Sequence, residues 1–193
     1  MKRVLFSIVF LFFLFCCSTL AFAQQAKTTE EPASKEAMMA SVSPTPLPEY
    51  QLPYPGILPD NTLYPLKALR DRIMSFLVSD PLKKAALDLL QADKRLNAGI
   101  YLVNKGKIDL AISTISKGEN YFDGAISNIK DAKKQGMEVK DILRKISLSS
   151  LKHQQVLKDL SKKASKDEQQ QAFLELEKRA MELEKKVDNL MHK

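Results

Sequence analysis

The sequence predicts an all-α protein: an antiparallel helical bundle of about five helices, entered through a proline-rich extended arm and closed by a heptad-patterned C-terminal helix. Three observations predict it. Apolar residues recur at three- and four-residue spacing through each segment after residue 64. Glycines and prolines fall between those segments, with Gly99, Gly118 and Gly124 as exceptions that mark close helix contacts. No stretch has the two-residue alternation of a strand.

The N-terminus precedes the fold. Lys2-Arg3 leads an apolar run over residues 4–20, closed by Ala21-Phe22-Ala23. A basic start, an apolar middle and an A-x-A site describe a signal peptide over 1–23. The alternative is an uncleaved anchor, because the run is just long enough to span a bilayer. Both routes export the remainder, to the periplasm, the cell surface or the medium, or anchored and facing outward. The two cysteines, Cys16 and Cys17, lie inside the run, and Phe13-Leu14-Phe15 before them lacks the small residues of a lipidation site. The rest of the chain has no disulfide to rely on, so its own core must hold it. Residues 24–50, rich in Gln, Ala, Thr, Ser, Glu and Pro, read as a disordered linker.

The helical domain occupies 51–193. Its arm alternates Leu52, Tyr54, Ile57 and Leu58 with Pro53, Pro55 and Pro59. Pro55-Gly56 suits a type II turn, in which glycine takes the positive φ. Such a stiff apolar strip should cover a seam of the bundle, as a lid over the first helix. The competing reading is a ligand for a partner's groove.

The first helix, about 64–78, follows Leu63 and places Tyr64-Pro65 in its first turn, where proline's missing N–H is harmless. Leu66, Leu69, Ile73, Phe76 and Leu77 form its apolar side, with Lys67 beside them. Asp80 is a natural N-cap and Pro81 a first helical residue, so a second helix runs from there to about 105, ending at Gly106. The third, about 108–135, carries Ile108, Ala111, Ile115, Gly118, Phe122, Ala125, Ile129 and Ala132. A short turn between them makes an antiparallel hairpin that sets Leu96 against Ile115, Ala92 against Gly118 and Leu89 against Phe122. The backbones should come closest at Ala92 and Gly118.

The C-terminal helices fill about 138–192. The fourth carries Val139, Leu143, Ile146, Leu157 and Leu160, but Ser149, Ser150 and His153 interrupt its stripe. The fifth repeats Phe173, Leu176, Ala180, Leu183, Val187 and Leu190 at heptad spacing. That seam either closes the bundle or pairs with a second copy.

Lys+Arg total 30 against 23 Asp+Glu, a net charge of +7. The basic residues are doublets interleaved with acids, the pattern of a solvated helix surface. Dispersed cations and the absence of tryptophan argue against nucleic-acid binding.

The run PGILPDNTLYPLKALRDRI, followed by DPLKKA and by LQADKRL before a Gly-Lys turn, resembles an exported bacterial family of domains of unknown function, with a Pro-Gly…Pro…Leu-Tyr-Pro-Leu-Lys lead ahead of a helical hairpin. The resemblance covers about 52–128 and is most specific over Leu63-Tyr64-Pro65-Leu66-Lys67. Lys94 departs from it, standing where arginine is common. It implies an extracytoplasmic α-helical domain and brings no reaction, ligand or catalytic residue. The fourth and fifth helices lie outside it.

Catalytic signals are thin. His153 and His192 are the two histidines. Ser149 and Ser150 stand one turn before His153, but no nucleophile elbow or glycine-rich loop frames them. Two distant histidines without cysteine do not make a zinc set. No cofactor or metal is expected. Asp71, Asp88 and Asp93 share two helices with Arg70, Arg72, Lys94 and Arg95, a pattern of surface ion pairs, unless Asp93 and Arg95 turn inward as a clamp at the arm. The expected function is a non-catalytic interaction or scaffolding domain at the envelope. Its docking surface would be the C-terminal seam or the arm, and its partner another protein or a second copy. The alternative is a module for anionic polymer or lipid headgroups, binding through a basic surface.

Overall fold

The computed structural model describes residues 50–192; the leader and almost all of the linker lie outside them. Five helices make up the described chain: α1 (Tyr64–Leu77), α2 (Pro81–Asn104), α3 (Ile108–Lys134), α4 (Lys140–Ser161) and α5 (Asp167–Met191). Among the described residues there is no strand.

Local chemistry sets the boundaries. Asp80 caps α2, its Oδ1 accepting from the Lys83 N–H at 2.8 Å, with Pro81 next in the helix. Replacing Asp80 by alanine should cost about 1 kcal/mol, read as a lower urea midpoint at unchanged slope. Both α2 and α3 end in left-handed glycines, Gly106 at φ 73° and Gly136 at φ 75°. At the first, Lys107 N–H reaches the Leu102 carbonyl and Gly106 N–H the Val103 carbonyl, each at 2.9 Å. Met137 to Ala132 and Gly136 to Lys133, both 3.0 Å, repeat the motif after α3.

The α2–α3 hairpin is the most extensive pairing, and α4–α5 makes a second hairpin; α5 packs on α3 and α4 on α2. The apolar interior is in two pieces. One holds Leu89, Phe122, Ile126, Ile146, Leu183 and Val187. The other holds Leu96, Leu102, Ile115, Leu157, Phe173 and Leu176. Both lie within the compact unit formed by residues 46–193, so this part carries its own core.

The heptad seam of α5 points into this interior. Phe173, Leu176, Ala180, Leu183 and Val187 are buried and Leu190 packs against the first cluster. Of the two readings of that seam, the packing realises the first: these residues close the bundle.

The arm lies along α2. Leu52 packs on the second cluster, the Pro53 carbonyl accepts from Asn97 Nδ2 at 2.9 Å, and Asp60 meets Lys105 and Lys107. Gly56 takes φ 72° at the turn. The expected lid over the first helix is corrected here. The arm covers α2, and α1 stands outside the four-helix core with its apolar side uncovered.

α1 is inverted. The one buried residue in it is Asp71, while Leu66, Leu69, Ile73, Met74 and Leu77 are exposed and Phe76 is 86% exposed. Asp71 accepts from Arg70 Nη2 at 2.7 Å and lies 3.7 Å from Lys67 Nζ. Burial lowers the Lys67 pKa, against the opposing pull of Asp71. The polar side of α1 meets the protein and the apolar side meets solvent.

Candidate functional site

A belt of buried polar side chains separates the two apolar clusters. α2 supplies Asp93 between Leu89 and Leu96, and α3 supplies Glu119 between Ile115 and Phe122. α4 supplies Ser149 and His153 between Ile146 and Leu157. In each helix the polar residue occupies a position on the inward face, so three polar interruptions arrive at one level of the bundle.

His153 is the hub. Its Nδ1 lies 2.8 Å from Glu119 Oε1 and its Nε2 3.1 Å from Asp93 Oδ1, with all three side chains buried. Burial alone would favour the neutral ring, but the two carboxylates outweigh it and push the imidazole pKa up to about 9. At neutral pH it is an imidazolium donating from both nitrogens. The Phe122 ring meets it edge-on at 5.0 Å.

Asp93 is the most connected acceptor. Besides His153 it takes the Ser149 hydroxyl on Oδ1 at 2.6 Å and the Tyr50 hydroxyl on Oδ2 at 2.6 Å. Burial, then the Asp93 charge, raises the Tyr50 pKa, so the phenol stays protonated and donates. A cavity of about 260 Å³ lies against Tyr50, Pro53, Asp93 and Lys145, where the arm crosses the bundle.

Arg95 is buried beside this network. Its Nη1 donates to the Gln91 side chain at 2.7 Å, and its guanidinium stacks 4.1 Å over Tyr121. Asp93 and Arg95 therefore both turn inward, and Asp93 grips the arm through Tyr50. Asp71, Asp88 and Asp93 do not form the row of exposed surface pairs expected of them: all three are buried. Asp88 bonds Asn128 Nδ2 at 2.8 Å, and burial raises its pKa.

The arrangement is poor in chemistry. Ser149 donates to Asp93 rather than to His153, and Ser150 donates to the Ser147 carbonyl in its own helix. Neither imidazole nitrogen is left to act as a base. His192 stands exposed at the end of α5. Among the described residues, no group of three or more His, Cys, Asp or Glu is arranged to hold a metal ion.

The positions singled out in the sequence fall in separate places. Asp93 joins the belt and Leu96 the core beside it; Gly118 lies where α2 and α3 touch; Gly106 and Asp80 sit at turns; Leu63, Tyr64, Pro65, Leu66 and Lys67 open α1. Glu119, Tyr50, Gln91 and Tyr121 were not anticipated. Glu119 was readable: it stands four residues after Ile115 and three before Phe122, on an apolar stripe. Tyr50 was not, because its partner is 43 residues away.

No curated protein matches this chain significantly, and no solved structure does. The match that does exist is to a family model, and it runs over residues 56–190, well past the hairpin, taking in α4 and α5. The extent fits the packing, since both apolar clusters and most of the belt need all four core helices. The chain belongs to the family described as domain of unknown function DUF5667.

Proposed function

We propose that this chain is a non-catalytic helical interaction domain, exported to the cell envelope, that docks through the outward apolar side of α1. The inverted orientation of that helix carries the proposal. Soluble monomers rarely expose a contiguous apolar strip of this length, and such strips mark contact surfaces. The seam of α5 and the arm, the other two docking candidates, are largely used inside the domain: the seam closes the bundle and the arm is pinned at Tyr50, Pro53 and Asp60. The committed nitrogens of His153 support a structural rather than catalytic role for the belt.

Binding through basic charge alone has less support. Many surface cations already have partners: Lys186 with Asp123, Lys105 and Lys107 with Asp60, and Lys133 with the Leu190 carbonyl at the end of α5.

Fractionation of cells expressing the full chain tests the reading. The parent should travel with the envelope, and the double variant Leu69→Ser, Phe76→Ser should be recovered mainly in the soluble exported fraction. Identical distribution of the two, or retention of both in the cytoplasm, would sink it.

A further inference from the structure

We infer that the partner of α1 is an anionic lipid surface, into which the helix inserts its apolar side while lying in the plane of the interface. This rests on the docking reading above and adds what is docked to. α1 is 14 residues long, about 21 Å, too short to span a bilayer. Leu66, Leu69, Ile73, Phe76 and Leu77 repeat at helical spacing along its length and all are exposed.

Charge selects the occupant. Three basic residues, Lys67, Arg70 and Arg72, lie in α1 against one acid, Asp71. Asp71 is buried and held by Arg70 and Lys67, so the charges α1 exposes, Arg70 and Arg72, are cationic. An apolar strip on a helix whose own exposed charges are cationic is the pattern of an interfacial helix on anionic headgroups. A second copy of the same surface would bring arginines toward arginines. The leader run over residues 4–20 is no better matched, because its charged end, Lys2-Arg3, is cationic too.

Insertion also leaves the fold intact. α1 holds to the bundle by its polar side and contributes no residue to either apolar cluster. The buried belt and the four-helix core need not move when the opposite side enters lipid.

The test uses residues 46–193, which contain both clusters and omit the leader. The sequence has no tryptophan, so Phe76→Trp places a single indole on the strip. With vesicles of phosphatidylcholine and phosphatidylglycerol the emission should shift to the blue, and the protein should float with them, less so at high salt. Pure phosphatidylcholine should bind it more weakly. Leu66→Ser with Leu69→Ser should lower partitioning about tenfold or more. Arg72→Gln should weaken binding to the anionic vesicles about fivefold and leave phosphatidylcholine unaffected. Circular dichroism should be the same for all variants.

Absence of any shift overturns the lipid assignment, as does binding that ignores Leu66 and Leu69, which would place it on a basic surface instead. A dimer that forms without lipid and is abolished by the serine pair overturns it in favour of a second copy, while leaving the docking reading in place. Full chain that no longer binds, where residues 46–193 do, identifies residues 1–45 as the occupant and likewise overturns it. If Leu66→Ser with Leu69→Ser changes neither vesicle binding nor self-association, and Leu69→Ser with Phe76→Ser leaves envelope fractionation unchanged, both readings fall.

Discussion

Replacing His153 by glutamine should destabilise the bundle by roughly 3–5 kcal/mol at neutral pH. The substitution removes the imidazolium and leaves Asp93 and Glu119 buried without the cation between them. Glutamine cannot replace it, since it brings a carbonyl oxygen into a space lined by two carboxylates. Urea unfolding of parent and variant measures the difference. The double variant His153→Gln, Glu119→Gln should recover part of it, because one uncompensated charge goes with the ion pair. A double variant as unstable as the sum of its singles would contradict the contact.

The same network makes stability depend on pH. The His153 pKa is raised in the fold, from 6.5 to about 9, which corresponds to roughly 3 kcal/mol in favour of the charged form. A raised folded pKa means that this contribution is complete below about pH 6.5 and declines as pH climbs through about 9. The parent should therefore lose stability between those values. His153→Gln should not show that fall, so the gap between the two curves should narrow toward alkaline pH. A parent curve that is flat from pH 6 to 10 would remove the imidazolium from the account.

Gly118→Leu should cost about 1–3 kcal/mol, toward the upper end. A Cβ at Gly118 would stand 3.0 Å from Arg95 Cβ and 3.2 Å from the Ala92 carbonyl oxygen, neither of which can swing away. α2 and α3 would have to separate, straining the belt and both clusters at once. Gly124→Ala is the contrast. Its nearest neighbour is the Asp88 carboxylate at 3.2 Å, the end of a side chain, and the gain in helix propensity offsets the small displacement. Thermal melts of the two should differ clearly. Equal melting would mean that the hairpin register is not the one described.

That register was legible from the order of large and small residues. Ala92 does face Gly118, as the pairing of the two stripes required, because a hairpin with a short turn leaves one alignment in which bulk meets space. A second close approach, Gly99 against Ile115, was legible only as a small residue within a helix; a Cβ there would overlap the isoleucine side chain. The belt was half legible. Ser149 and His153 were visible as gaps in the α4 stripe; Asp93 was expected on the surface, with an inward clamp at the arm as the alternative, and the fold realises that alternative. Their assembly into one network was not, because it depends on three helices placing their polar positions at the same height.

Helix existence, boundaries and the two glycine-terminated turns follow from short-range chemistry, caps and φ preferences acting within a few residues. Those needed nothing beyond the order of amino acids along the chain. The destination of each helix face is a different matter. Periodicity says that α1 and α5 each have an apolar side, and in α5 that side is buried while in α1 it is bare. The physical reason is competition for a finite core. Four helices already close the interior around the belt, and the side of α1 left toward the protein is the one where Asp71 is buried with its charge met by Arg70 and Lys67 of the same helix. Amphipathicity creates two sides, and only the packed neighbours choose which of them meets the protein.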